Sequence, residues 1–133
     1  MKKIDHGNIL SMILWLVALH SFIVGIGLIV MPPQLMEFLG FNSGGDRFFQ
    51  SQGGVFHIVM TIAYSLAALR TSRFECLILF SIIVKFSATI FLFIYYFFAV
   101  QIWMVLLSGI TDCLMGIVIL WMYVLYSQKI KIH

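Results

Sequence analysis

Four long apolar runs, separated by short polar stretches, dominate the hydrophobic pattern of this chain. They predict helices at about 8–31, 48–69, 75–98 and 102–126. Each run reaches the roughly 20 residues that a helix rising ~1.5 Å per residue needs to cross a bilayer. Pro32 and Pro33 end the first run, because proline cannot continue the hydrogen-bond pattern of a helix. The pattern therefore predicts one all-α domain over residues 1–133, a polytopic membrane four-helix bundle.

The loop after the first run contains a further apolar stretch at 34–39. Leu35, Phe38 and Leu39 recur there at the i, i+3, i+4 spacing of one helical face. This spacing predicts a short helix that lies in the membrane interface or over the mouth of the bundle. Its three apolar side chains are expected to face the membrane or the mouth, and Glu37 to face water or a polar entrance.

The composition agrees with a membrane protein. Hydrophobic residues make up 62% of the 133 residues and charged residues only 10%, against about 25% charged in a soluble domain. Four spans with their connections use the whole length, so no separate soluble catalytic domain is predicted. The first run also exceeds the ~7–15 apolar residues of a signal peptide and is expected to stay as a span.

The positive charges outside the spans predict an orientation. All but Arg47 fall on one side of the predicted topology; they are Lys2, Lys3, Arg70, Arg73, Lys129 and Lys131. Cytoplasmic segments carry the excess of Lys and Arg, so we expect both termini in the cytoplasm of a bacterial inner membrane protein. The net charge of +3 then marks a membrane face, and no nucleic-acid partner is predicted.

Each apolar run contains one ionisable side chain, respectively His20, His57, Lys85 and Asp112. A Lys or Asp at the centre of a spanning helix costs about 2.5–3.5 kcal/mol, so these groups are expected to avoid lipid. Counted from the cytoplasmic ends, their depths agree within roughly 6 Å. We therefore predict a polar pocket between the helices. The candidates for ligand binding or proton relay are His20, His57, Lys85, Asp112, Thr61, Tyr64 and Thr89.

Small and polar residues extend the faces that carry these groups. The predicted faces are Ser81, Lys85 and Thr89 on the third helix; Gly109, Asp112 and Gly116 on the fourth; Gly53, His57, Thr61 and Tyr64 on the second; and His20 with Gly27 on the first. Small residues let helices approach closely, and polar ones hydrogen-bond across the contact.

Lys85 and Asp112 form the most specific pair. A tight hairpin joins their helices, which makes them antiparallel neighbours, and the two depths differ by roughly 4–5 Å. The spacing predicts a buried salt bridge. The pair is interpreted either as a static lock on helix register or as the charged wall of a proton or ligand site.

His20 and His57 allow three interpretations. They could hydrogen-bond a neighbouring helix, relay protons or bind a polar ligand, or ligate a b-type haem from opposite sides. A zinc site needs three or four ligands, and the cluster offers at most these two histidines and Asp112, so no metal site is predicted.

No GxSxG, HExxH or P-loop motif occurs, so no catalytic residue is assigned and the cofactor stays open. Cys76 and Cys113 form no CxxC motif and are expected to remain unpaired.

The layout resembles the DoxX-like group of small bacterial membrane proteins. The shared features are the four spans, a histidine and glycines in the first span, a proline at its end, a Gly-Phe in the first loop, a Gly-Gly at the second span and a basic third span. The corresponding residues are His20, Gly25, Gly27, Pro32, Gly40, Phe41, Gly53, Gly54 and Lys85. Founding members of that group resemble small subunits of quinone-linked membrane oxidoreductases, so the resemblance implies a quinone-side or accessory role.

Together, these features favour a small binding or accessory subunit for a quinone-like or other amphipathic ligand. The alternatives are a redox enzyme subunit with its own haem or quinone chemistry and a proton-coupled carrier that works as an oligomer. The expected surroundings are the lipid bilayer with either a membrane redox complex or further copies of the chain.

Overall fold

The structure is a computed structural model that describes residues 5–42 and 47–131, with side chains as far as residue 128. All regular secondary structure in this part of the chain is helical. The helices are α1 (His6–Val30), α2 (Pro33–Phe38), α3 (Phe48–Leu69), α4 (Glu75–Phe98) and α5 (Trp103–Lys131). Lys2 and Lys3, and the side chains of Lys129 and Lys131, on which part of the predicted orientation depends, lie outside the described residues.

Four of these helices are long and apolar enough to cross a membrane, as in a multi-pass membrane protein. The all-α bundle is thus confirmed, and the predicted helix bounds differ mainly at two ends. α1 begins at His6 because the Asp5 side chain accepts a hydrogen bond from the Gly7 amide and caps the helix (3.1 Å). α5 continues to Lys131, beyond the predicted end at residue 126.

The long helices pack in the ring order α1, α3, α4, α5. Contacts are most extensive within the pairs α1–α3 and α4–α5, and sparser between α1 and α5 and between α3 and α4. We call the end where α1 begins and α5 ends the termini end, and the opposite end the α2 end. The bundle therefore consists of two tightly packed helix pairs with looser seams between them.

The tightest approach is the crossing of α1 and α3 at Gly25 and Gly54. A Cβ atom on Gly54 would lie 2.7 Å from the carbonyl oxygen of Gly25, and one on Gly25 would lie 2.9 Å from that of Gly54. The sequence pattern places Gly27 and Gly53 on the small or polar faces, but the closest contact is made by Gly25 and Gly54. A Cβ at either of these positions would find its nearest neighbour at 3.9 Å. Gly53 is one residue from Gly54 and Gly27 is two residues from Gly25, so their side-chain directions are turned by about 100° and 200° from the contact.

The glycines predicted on α5 do lie in its contact with α4. A Cβ on Gly109 would lie 2.8 Å from the Phe93 ring, and one on Gly116 would lie 3.3 Å from the Cβ of Lys85. Small residues at these two positions let α5 approach α4 on both sides of Asp112.

The apolar core fills the half of the bundle nearest the termini end. Its buried members are Leu10, Leu14, Val17 and Ala18 from α1, Tyr64, Ala67 and Ala68 from α3, Ile78 and Ile82 from α4, and Ile119 and Met122 from α5. Two polar contacts between helices lie at the same end: Ser11 Oγ donates to the Ala68 carbonyl (2.6 Å), and the Tyr123 hydroxyl donates to Glu75 Oε1 (2.6 Å). This half of the bundle is closed by packing.

The short predicted helix is present as α2, and two of the three residues of its predicted apolar face are exposed. Phe38 is 75% exposed and Leu35 is 44% exposed, which is the surface expected of a helix in a membrane interface. Leu39, the third residue of the predicted face, is half-buried. The segment ends at Gly40, whose φ of +92° favours glycine.

Two side chains from the start of α3 hold the end of α1. Arg47 Nη2 donates to the Met31 carbonyl (2.6 Å), and Gln50 Nε2 donates to the Leu28 carbonyl (2.7 Å). The last carbonyls of a helix have no partner within it, so these bonds satisfy groups that otherwise need water. They fix the α1–α3 pair at the α2 end.

Candidate functional site

The predicted ion pair between α4 and α5 is present. Lys85 Nζ lies 2.5 Å from Asp112 Oδ1, and the two residues are only 2% and 8% exposed. The Tyr64 ring of α3 lies near the same ammonium group, with its centroid 5.6 Å from Nζ. The negative face of an aromatic ring attracts a cation, so three helices meet around one charge. No second partner of the Asp112 carboxylate occurs among the described residues.

The two threonine candidates donate hydrogen bonds to carbonyl groups of the backbone. Thr89 Oγ1 donates to the Lys85 carbonyl (2.8 Å), and Thr61 Oγ1 donates to the His57 carbonyl (3.0 Å). Both bonds run to the carbonyl four residues earlier, a common way for a hydroxyl to be satisfied inside an apolar helix. Neither threonine lines the two cavities described below.

His57 is oriented by Ser21, which is 1% exposed. Ser21 Oγ donates to the His57 carbonyl (3.0 Å) and lies 3.2 Å from His57 Nδ1. Because the only hydroxyl proton goes to the carbonyl, the ring contact is satisfied when Nδ1 carries a proton and donates to Oγ. A neutral His57 then keeps Nε2 as a hydrogen-bond acceptor.

His20 has no such anchor. Its Nδ1 atom is buried and has no hydrogen-bond partner among the described residues. A buried polar atom left unpaired costs about 1–3 kcal/mol, and such an atom in a folded protein needs an explanation. Since His20 lines a cavity, a bound polar group is one way to satisfy it.

Two cavities adjoin in the middle of the bundle. The larger, the α2-side cavity, has a volume of about 410 Å³ and is bordered by α1, α3, α4 and α5. The smaller, the seam cavity, has a volume of about 290 Å³ and lies mainly between α3 and α4. The two share four lining residues, which are His57, Phe91, Leu92 and Asp112. We call the two cavities together the polar cleft.

A third cavity lies beneath α2 at the mouth of the bundle. It has a volume of about 370 Å³, and Met36, Arg47 and Gln50 contribute to its walls. It shares Phe41 and Tyr95 with the α2-side cavity. Cavities thus follow one another from the α2 end to Lys85 and Asp112, where the packed core begins. The cleft is blind toward the termini end.

Five of the seven predicted residues line the polar cleft: His20, His57, Tyr64, Lys85 and Asp112. Sequence reasoning missed Ser21, Ser108 and Thr111, which line it as well. Ser108 stands four residues before Asp112, so helical spacing from the aspartate could have found it. Ser21 carried no comparable signal, because its role depends on the approach of α3.

His20 and His57 lie on the two helices that approach each other most closely. The backbones of α1 and α3 touch at Gly25 and Gly54, within about two turns of both histidines. Both histidines line the α2-side cavity from this pair of helices. Among the described residues no three His, Cys, Asp or Glu side chains group closely enough to hold a metal ion. Cys76 and Cys113 are both free thiols.

Comparison of the chain with protein-family models, with curated proteins and with solved structures gives no match. Function is therefore inferred from the geometry of the cleft.

Proposed function

We propose that this chain is an inner-membrane protein that binds a quinone-like or other amphipathic ligand in the polar cleft. It acts as a small binding or accessory subunit, beside a membrane redox complex or further copies of itself. The observation that carries the proposal is a blind cleft with apolar walls and a charged floor. Ligand sites are typically apolar cavities of roughly 300–1,000 Å³ with a few polar groups that fix orientation, and the α2-side cavity, at about 410 Å³, falls in this range.

The walls and the floor of the cleft differ in chemistry. Val24, Leu28, Met104 and Val105 are among the apolar side chains of the α2-side cavity. These walls suit a flat ring or the start of an apolar chain, which gain contact there without losing hydrogen bonds to water.

The floor offers hydrogen-bonding groups of both kinds. Lys85 Nζ has three protons and one carboxylate partner, so it can also donate to a carbonyl oxygen of a ligand. His57 Nε2 and the second oxygen of Asp112 can accept from a hydroxyl. A ring that alternates between carbonyl and hydroxyl forms, as a quinone does, matches both sets.

The resemblance to DoxX-like proteins supports the same proposal, since it implies a quinone-side or accessory role. The orientation with both termini in the cytoplasm belongs to this proposal too. In that orientation the polar cleft opens toward the extracytoplasmic side.

Calorimetric titration of the purified protein with a short-chain ubiquinone tests the proposal. Wild type is expected to bind in the micromolar range or tighter, corresponding to about 8 kcal/mol. Ser108→Phe should abolish binding, because Ser108 lines the α2-side cavity and the larger ring would fill it. Ile110→Phe is the matched control on the same helix, since Ile110 is 43% exposed. Equal binding by Ser108→Phe and Ile110→Phe would contradict a site in the cleft.

A further inference from the structure

The seam between α3 and α4 is the most loosely packed contact between neighbouring helices in the described ring. A turn at 70–74 joins the two helices at the termini end, where the core holds them together. Farther from this turn the seam cavity separates them. The cavity reaches the depth of Lys85, roughly 15 Å along α4 from its first residue.

The outer edge of the seam cavity is apolar and uncovered. Phe56 of α3 and Phe91 of α4 line the cavity and are 64% and 62% exposed on the perimeter of the bundle. Met60 and Ala88 follow as further apolar lining residues. The inner end is formed by Lys85 and Asp112, so the polarity of the cavity reverses from its edge to its floor.

This reversal selects the kind of molecule that can occupy the seam. Bulk lipid chains offer no hydrogen bonds to the charged inner end, and a charge facing them is strongly disfavoured. A water-soluble ligand gains nothing from the two phenylalanines at the edge. An amphiphile with a polar head and an apolar chain satisfies both ends at once.

We infer that the α3–α4 seam is a lateral portal: the apolar chain of a membrane-borne amphiphile extends through it into the lipid, while the polar head lies where the two cavities meet, beside His57 and Asp112. This inference rests on the proposed function and adds the class of ligand and its route. One molecule can reach both cavities because His57, Phe91, Leu92 and Asp112 line both. The unpartnered Nδ1 of His20 lies on the head side of this arrangement.

The test compares a chain-bearing ligand with its bare head group. Wild type and variants are placed in lipid nanodiscs and titrated with decylubiquinone and with the same benzoquinone ring lacking the chain. Ala88→Phe narrows the seam cavity, of which Ala88 is a lining residue. Ser87→Phe is the matched control, because the neighbouring Ser87 is exposed on the perimeter. Partition of each ligand into the bilayer is the same for every variant, so differences report on the protein.

Ala88→Phe is expected to weaken binding of decylubiquinone about tenfold and of the bare ring less than about threefold. Ser87→Phe should change neither. An equal loss for both ligands, or no loss for either, would overturn the portal while leaving a ligand site in place. Failure of wild type to bind either ligand would overturn the proposed function and the portal with it.

A second measurement on the wild-type protein does not depend on the folding of a variant. A ubiquinone analogue with a photoreactive diazirine on its chain is bound and irradiated, and the labelled residues are identified by mass spectrometry. The portal predicts labels on Phe56, Met60 or Phe91. Labels confined to Met36, Phe41 and Ile102 would place the chain at the α2 end instead and would reject the portal.

Discussion

At Lys85 and Asp112 two opposite charges are held away from water with a single hydrogen bond between them. Removing ions from water is expensive, and their mutual attraction repays that cost only when the geometry is good and other groups assist. The Tyr64 ring gives such assistance to the ammonium group. Each charge therefore needs the other, because either one alone would be buried without a partner and would destabilise the membrane helix that carries it.

The two charges should be strongly coupled. Lys85→Met or Asp112→Leu alone is expected to destabilise the protein by about 3–5 kcal/mol, because each leaves the other charge buried and unpaired. The double variant leaves no unpaired charge and should recover much of this loss. The coupling free energy between the two residues is measured by thermal unfolding in detergent. The proteins compared are wild type, both single variants and the double variant. Additive losses would show that the two residues do not stabilise each other.

On the scale of the helices, the α1–α3 crossing decides how the histidines are presented. Backbone contact at Gly25 and Gly54 brings Ser21 within hydrogen-bonding distance of His57. A crossing one residue away would rotate both helices by about 100° and separate this pair. The contact between the two glycines thus sets the orientation of α1 and α3, the helices that carry both histidines into the cleft.

Neighbouring glycines on α3 provide a sharp test of this crossing. Gly54→Ala should destabilise the protein by about 1–3 kcal/mol, since the added methyl group overpacks the contact, meeting Gly25 O and Ile29 Cγ1 at 2.7 Å. Gly53→Ala is the control, because its Cβ would meet only Leu28 Cδ1 at 3.9 Å. Alanine also favours a helix over glycine, so the control should match or exceed wild type. Unfolding temperatures that fall equally for both variants would contradict the crossing.

The whole molecule divides into a packed half and an open half. The core closes the termini end, whereas cavities occupy the half toward α2. This asymmetry suits a binding site with an entrance at one end more than a pore, because described side chains fill the space beyond the ion pair. Access from the α2 end and access through the α3–α4 seam both lead to the same floor.

The orientation of this asymmetric bundle follows from its charges. Arg70 and Arg73 lie at the termini end and Arg47 at the α2 end, so the excess of positive charge predicts a cytoplasmic termini end. Fusion of a topology reporter after His133 should give a cytoplasmic signal, and insertion at Ser43 an extracytoplasmic one. Insertion at Thr71, in the turn before α4, serves as a control and must agree with His133. An extracytoplasmic signal from the His133 fusion would reverse the orientation.

The sequence was most informative about features that depend on interactions between residues close together in the chain. The helix bounds were predicted closely because an apolar run in a bilayer must satisfy its own backbone hydrogen bonds, and a helix does so locally. The Lys85–Asp112 pair was predictable for a related reason: the hairpin from Phe98 to Trp103 is so short that α4 and α5 must be antiparallel neighbours.

The candidate site was predicted only in part. The four ionisable residues stand out from an apolar background, and all four line the polar cleft. Their hydrogen-bond partners were predictable only for Lys85 and Asp112, whose helices are joined by the hairpin. Thr61 and Thr89 share a predicted face with His57 and Lys85, yet their hydroxyls donate to backbone carbonyls. Thr89 donates to Lys85 within its own helix, and Thr61 donates to His57 and, at 3.4 Å, to Ala18 of α1.

By itself, then, the sequence determined the number of spans, the all-α class, the depth of the buried charges and the one ion pair across a short loop. Tertiary structure alone decided that α1 and α3 cross at Gly25 and Gly54, and that Ser21 holds His57. It also decided that the core fills one half of the bundle and that the α3–α4 seam stays loose. The reason is physical: a helix forms from bonds within about four residues, whereas the rotation and spacing of helices depend on how distant side chains fit together.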